Sequence, residues 1–163
     1  MANNLSDFTV IEVIPTLQAT AYTTARMVNV TTEIPNAVEG SKGCSKLVGL
    51  TIVNKADATF LGDIIFQSAS TTHGAINAAP GMSVGDLASA GVLGTIKIET
   101  EDWTDFGAGQ VACKLNSDVL NTVPFLLQAE SGSSSVYFAM IINGTNNPTT
   151  TTDLIFRFHI QYR

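Results

Sequence analysis

Charge is what this chain of 163 residues has least of. Asp, Glu, Lys and Arg together make up 13% of it, about half the ~25% usual in globular domains. Eight basic against fourteen acidic side chains leave a net charge of −6. A partner held through phosphates needs clustered Lys and Arg, so no nucleic-acid partner is expected. No apolar run approaches the ~20 residues of a membrane helix, so no membrane is expected either. Residues 1–7 are polar, without the basic start and apolar stretch of an export signal. The expectation is a chain made and kept in the cytoplasm. The two cysteines, Cys44 and Cys113, are too few for a disulfide scaffold. A reducing compartment favours free thiols, and Cys44 reads as a buried or half-buried structural residue.

Reactive side chains are as scarce as charge. Of the two histidines, His73 sits in a Thr-Thr-His-Gly loop and His159 on the polar face of the last strand. Neither has another His or a Cys at metal-ligand spacing, and both read as surface residues. Residues 107–112 match G-x-G-x-x-A, but the residues after the second glycine alternate as a strand rather than a helix, so a glycine turn is the better reading. There is no G-x-S-x-G elbow. The densest acidic cluster is Glu99, Glu101, Asp102 and Asp105 around Trp103. It could offer oxygens to Ca²⁺, or two carboxylates for glycoside hydrolysis. The plainer reading is a solvated turn with Trp103 tucked against the domain. No catalytic residue, metal or cofactor is assigned, and an enzyme is not expected. Asn29 and Asn143 begin glycosylation sequons but read as strand and turn residues.

What the chain does have is apolar content, 45%, with a mean hydropathy of +0.23, arranged mostly with period two. Leu154, Phe156, Phe158, Ile160 and Tyr162 alternate with Ile155, Arg157, His159, Gln161 and Arg163, a strand with one face in a core. Val111, Cys113 and Leu115 alternate with Ala112 and Lys114. Gly94, Ile96 and Ile98 alternate with Thr95 and Lys97, and Val28 and Val30 with Asn29 and Thr31. Residues 8–14, 47–53, 60–66, 124–129 and 136–142 are apolar on both faces, as in central strands or strands that meet a partner. Turn residues punctuate the chain at 54–57, 107–109, 131–133 and 143–148, and the Thr-rich stretch 149–152 reads as an exposed loop. About nine short strands separated by turns predict an all-β, single-domain β-sandwich, jelly-roll-like. An N-terminal arm, residues 1–7, precedes the domain at 8–163.

One short helix is predicted near residues 84–90, within a Gly/Ala-rich connection from 68 to 92. Ser83 can cap it, with Asp86 at the third position. Val84, Leu87 and Ala88 give an apolar face, and Gly91 can end it.

The first strand is the best candidate for a partner interface. Residues 8–14 are apolar apart from Thr9 and Glu12, and an uncovered edge of that kind invites association. Phe8, Val10 and Ile14 are the residues expected to meet a neighbouring molecule. The competing reading buries this strand wholly inside its own sandwich.

Several segments, in order, resemble the small virion proteins of tailed bacteriophages. They are LVGLTIVN at 47–54, GDIIFQS at 62–68, a small helix before GVLGTI at 91–96, DWTDF at 102–106, SVYFAMIINGT at 135–145, a turn at Pro148, and DLIFRF at 153–158. The turn here is Gly-Thr-Asn-Asn-Pro, where the group has a tighter Gly-Thr-Pro. The resemblance covers residues 47–160 and implies a decoration, or cement, protein on the capsid exterior, assembled in the host cytoplasm. It also implies the major capsid protein as partner and a homotrimer as the oligomer. A tail or fibre-tip protein with a carbohydrate-binding β-sandwich is the alternative, with Trp103, Tyr22 and the acidic cluster as its sugar platform. A small hydrolase comes third.

Overall fold

The computed structural model describes residues 7–115 and 125–162. The expected arm and the first residue of the 124–129 run therefore lie outside the described residues, apart from Asp7. The strands are β1 (Phe8–Val13), β2 (Arg26–Met27), β3 (Thr32–Ile34), β4 (Cys44–Asn54), β5 (Gly62–Gln67), β6 (Val92–Ile98), β7 (Trp103–Asp105), β8 (Gln110–Leu115), β9 (Phe125–Gln128), β10 (Val136–Ile142) and β11 (Leu154–Gln161). One helix, α1 (Val84–Ala90), lies between β5 and β6. The strands outnumber the expectation because β2, β3 and β7 span only two or three residues. That is too short for a period to show.

The strands form two antiparallel sheets packed face to face, so the fold is an all-β sandwich. Sheet one runs β1-β11-β4-β8-β7, with β9 also on β4; sheet two runs β2-β10-β5-β6, with β3 also on β10. β4 is long enough to carry two partners on one edge. Its residues Cys44 to Leu47 pair with β9 and Gly49 to Asn54 with β8. No helix among the described residues is long and apolar enough to cross a membrane.

Period two in the sequence becomes inside and outside in the sheets. Leu154, Phe156, Phe158 and Ile160 of β11 are buried, while Arg157 between them is exposed. Phe156 and Phe158 meet Phe138 of β10, with ring centroids 5.0 Å away in each case, and Phe158 meets Phe66 of β5 at 5.9 Å. Aromatic pairs at these separations contribute about 0.5–1.5 kcal/mol each beyond the area they bury.

Residues 28–31 depart from the expected alternation. Val30 is exposed and Asn29 is fully buried. The Asn29 side chain stands in for a main-chain ladder: its Oδ1 accepts from the Met140 N–H at 3.0 Å, and its Nδ2 donates to the Val30 carbonyl at 2.8 Å and to Thr32 Oγ1 at 3.0 Å. β2 and β3 are thus two pieces lying along one edge of β10, joined by an amide side chain. A buried Asn29 is also closed to glycosylation as the molecule stands.

Gly62, where β5 begins, is fixed by close approach. A Cβ there would lie 2.4 Å from the Ile141 carbonyl oxygen of β10. Gly62→Ala is expected to destabilise the fold by about 1–3 kcal/mol through overpacking. Gly144→Ala, where an added Cβ meets no atom within 4 Å, serves as the control. Urea denaturation checks this: the midpoint of the Gly62 variant should fall at unchanged slope, and that of the Gly144 variant should stay near the parent.

Candidate functional site

β1 is an edge strand of sheet one, paired on one side with β11. Its alternation is one-sided. Ile11 and Val13 pack against the core, while Phe8, Val10 and Ile14 are 56%, 54% and 47% exposed. The reading that buries this strand wholly inside the sandwich is therefore corrected. Thr9, Ile11 and Val13 suffice for the inner side, leaving Phe8, Val10 and, just past the strand end, Ile14 in solvent.

The register sets Phe8 in line with a second exposed apolar residue, Leu126, across two polar ones. Phe8 lies opposite Gln161, Gln161 opposite Lys46, and Lys46 opposite Leu126. Leu126 is 58% exposed. A shallow groove of about 210 Å³ is lined by Phe8, Thr9, Val10, Val48, His159 and Ile160. A second, of about 260 Å³, lies beside Cys44, Lys46, Leu126 and Tyr162. β1's single charge is matched within the molecule, since Arg157 Nε donates to Glu12 Oε2 at 2.9 Å. Both partners are well exposed, so the pair contributes at most about 1 kcal/mol. Its larger effect is to leave no unmatched charge on the strand. His159 is half-buried on this face with Thr51 Oγ1 at 3.1 Å from its Nε2. Burial, and then the nearby Arg157, push its pKa down.

Cys44 belongs to this surface. Both cysteines are free and exposed, so the expected burial of Cys44 is corrected. Ser45 and Leu47 take the inward positions of β4, and Cys44 falls on the outward side at the strand's start.

The acidic cluster does not converge. Glu99 pairs with Lys97 at 2.7 Å, Asp102 with Lys114 at 2.6 Å, and Asp105 Oδ1 accepts the Gly107 N–H. Among the described residues no group of three His, Cys, Asp or Glu side chains is placed to hold a metal ion. Asp102 also accepts the Glu99 N–H through Oδ2, which closes the short 3₁₀ turn Thr100–Asp102. Trp103 is half-buried against the core.

The Asp102–Lys114 pair goes with an inward-facing lysine on β8, against the polarity of the strand's alternation. Ala112 and Lys114 point inward and Cys113 points out. The two charged side chains are only 12% and 7% exposed. A lysine at an inward position is masked in a hydropathy pattern, and its partner lies in a separate turn, so only the fold joins them.

Tyr22 is fully buried: its hydroxyl accepts the Gln18 N–H at 2.7 Å and donates to the Val28 carbonyl at 2.9 Å. Burial pushes its pKa up. With no ring face in solvent it gives a sugar nothing to stack on. His73 is also buried, at 1% exposure, which corrects its reading as a surface residue. Residues 107–109 form the β7–β8 turn, as expected, with Gly107 at φ +85° and Phe106 N–H bonded to the Gly109 carbonyl. α1 has the expected caps, a reciprocal Ser83–Asp86 box and Gly91 at φ +58°. Its expected apolar face is uncovered, with Val84 84% and Leu87 46% exposed; Ala90 is the residue it buries.

No family model, no curated protein and no solved structure matches this chain.

The buried pair yields a test. Lys114→Ala leaves the Asp102 carboxylate buried without its cation, and is expected to cost about 3–5 kcal/mol. Removing both charges while keeping an acceptor for the Glu99 N–H, Lys114→Met with Asp102→Asn, should recover most of that loss. Equilibrium unfolding of the two variants checks it; equal losses would mean that the charge left behind is not the cause.

Proposed function

We propose that the chain is a virion protein that decorates the head shell of a tailed bacteriophage, binding the major capsid protein lattice through the outer face of sheet one. The observation that carries this reading is the exposed apolar pair Phe8 and Val10 on an edge strand of sheet one, with Ile14 just past the strand end and the strand's one charge matched. Single exposed apolar side chains are ordinary, but several along one edge strand mark an interaction site. The strand order supports the jelly-roll-like sandwich that the spacing of strands and turns predicts. With β2 and β3 taken as one interrupted strand and β7, β8 and β9 as one edge, the sheets run 1-11-4-8 and 3-10-5-6. That order is compatible with a jelly-roll-like sandwich.

A cement protein acts by linkage: it binds the assembled shell better than free subunits and shifts the balance toward the shell. Such work needs buried area and complementary shape, which a half-apolar sheet face and an unpaired strand edge can offer. Many copies on one lattice add avidity. Three copies per unit is the number the resemblance implies. The carbohydrate-binding alternative loses support with Tyr22 sealed in the core.

Phe8→Asp with Val10→Asp places charge where the side chains are in solvent, so the fold should survive within about 0.5 kcal/mol. Co-sedimentation with shells purified from the phage that carries the gene, stripped of this protein, is the measurement. The parent should bind at saturable stoichiometry and the folded double variant at least tenfold more weakly. Equal binding by the two proteins would overturn the assignment of this face, and no binding by the parent would overturn the decoration reading itself.

A further inference from the structure

The connection from β5 to α1 does more than cross the sandwich. It lies along the outer edge of β2. Met27 donates its N–H to the Ala78 carbonyl at 2.9 Å and accepts from the Asn77 N–H at 2.8 Å. Thr31 Oγ1 donates to the Thr71 carbonyl at 2.7 Å. The segment is tightly folded to reach these partners, with Asn77 at φ +57° and Gly74 at φ +143°.

His73 holds the middle of this segment. Its carbonyl accepts the Gly81 N–H at 3.0 Å, and its Nε2 is bonded to Gln67 Oε1. Gln67 Nε2 donates to the Ala69 and Thr71 carbonyls, at 2.7 Å each. That fixes the amide with its oxygen toward the ring, and an amide oxygen can only accept. Nε2 therefore carries the proton of the neutral imidazole, and Nδ1 is a bare lone pair. Nδ1 is buried with no hydrogen-bond partner. A second proton would have to sit there, with no acceptor and no counter-charge. The charged groups on the elements joined to this segment are engaged elsewhere or distant in register. Arg26 precedes Met27 opposite Ile142, Asp63 of β5 accepts from Asn143, Glu33 of β3 accepts from Ser135, and Asp86 caps α1. Lys97 of β6 pairs with Glu99.

We propose that His73 is an acid-sensitive latch: neutral, it holds residues 68–81 closed over the outer edge of β2; protonated, it releases them and bares that edge. Burial pushes the His73 pKa down in the closed form, while the opened segment returns it to about 6.5. The open form then binds more protons between the two values, so closure is complete above about pH 6.5 and weakens as the pH falls below it.

Amide hydrogen exchange from pH 7.5 to 5.0, corrected for intrinsic rates, tests this. Protection of Met27, Asn77 and Gly81 should fall as the pH drops below 6.5, by at most about tenfold per pH unit, and level off where the closed form itself takes up the proton. Core amides of β4 and β11 should hold. His73→Gln can still donate to Gln67 but cannot titrate, so its protection should be independent of pH; His159→Gln should behave as the parent. Three results would overturn the proposal: unchanged protection at pH 5.0, the same pH dependence in His73→Gln, or a loss shared equally by β4 and β11. If His73→Gln does not fold, the imidazole resonances of the parent decide. A ring that titrates at 6.5 or above while the segment stays protected overturns the latch, and one that titrates lower, together with loss of protection, supports it.

Discussion

Everything in this fold is placed relative to two rings on one strand. Phe156 and Phe158 project inward from β11, nearly parallel at 6.1 Å, and close on Phe138 and Phe66 from the other sheet. All four are fully buried, and losing such a ring costs about 3–5 kcal/mol. Because side chains alternate strictly along a strand, fixing these two rings inward fixes Arg157 and His159 outward. The register passes the constraint on. Val13 lies opposite Phe156 and Ile11 opposite Phe158, so Val13 and Ile11 face the core and Glu12 and Val10 must face solvent. The candidate interaction face is thus a consequence of core packing one strand away. A slip of one residue between β1 and β11 would exchange its apolar outer side for its inner one.

A sandwich must also manage its sheet edges, and this one treats them differently. Beside β2, the 68–81 segment supplies the missing hydrogen bonds through Asn77 and Ala78. At the other end of sheet one from β1, β7 is three residues long, ends on Asp105 and follows Glu101, a short edge with acidic charge at both ends. β1 has six residues, no proline, no lysine and no register shift against β11. Short length, charge and cover are the usual protections of an edge; β1 carries one charge, Glu12, matched by Arg157, and no described strand pairs with its outer edge. The contrast within one molecule is a stronger argument for association at β1 than its exposure taken alone.

How far the sequence foretells this depends on whether a residue's surroundings lie along its own strand. β11 is fully legible, since alternation of large apolar and polar residues over eight positions admits one reading. The caps of α1 are legible too, because Ser83, Asp86 and Gly91 act within one turn of the helix. β8 misleads because its inward positions are Ala112 and Lys114, whose neighbour Asp102 arrives from a turn across the hairpin. The apolar pattern of α1 misleads for a different reason: in this chain a helix of seven residues buries Ala90 and leaves Val84 and Leu87 outside. Asn29 and His73 escape a sequence reading because the fold buries them against polar partners that no strand or helix period points to, Met140 across the sheet for Asn29 and Gln67 of the preceding strand for His73. The alignment of Phe8, Gln161, Lys46 and Leu126 across the outer face is invisible too. It exists only in the register of β1, β11, β4 and β9.

These internal polar groups explain where a charge-poor chain has put its charges. Lys114 and Asp102 are turned inward against each other. Asp153 is buried, which by itself would raise its pKa, but hydrogen bonds from Thr150 and Thr149 outweigh this and hold it below the usual carboxylate range. It organises the Thr-rich loop through both carboxylate oxygens. Asp86 closes α1, Asp105 closes the β7–β8 turn, and Glu12 and Arg157 satisfy each other. Each use removes a charge from the set that would otherwise keep surfaces apart in solution. The outer face of sheet one carries the matched Glu12–Arg157 pair, Lys46 and the exposed apolar side chains Phe8, Val10 and Leu126, so an approaching surface meets few charges and releases water from those three. Low charge content is therefore concentrated in effect: the stability of loops and turns and the adhesiveness of one face come from the same placement of acidic and basic residues.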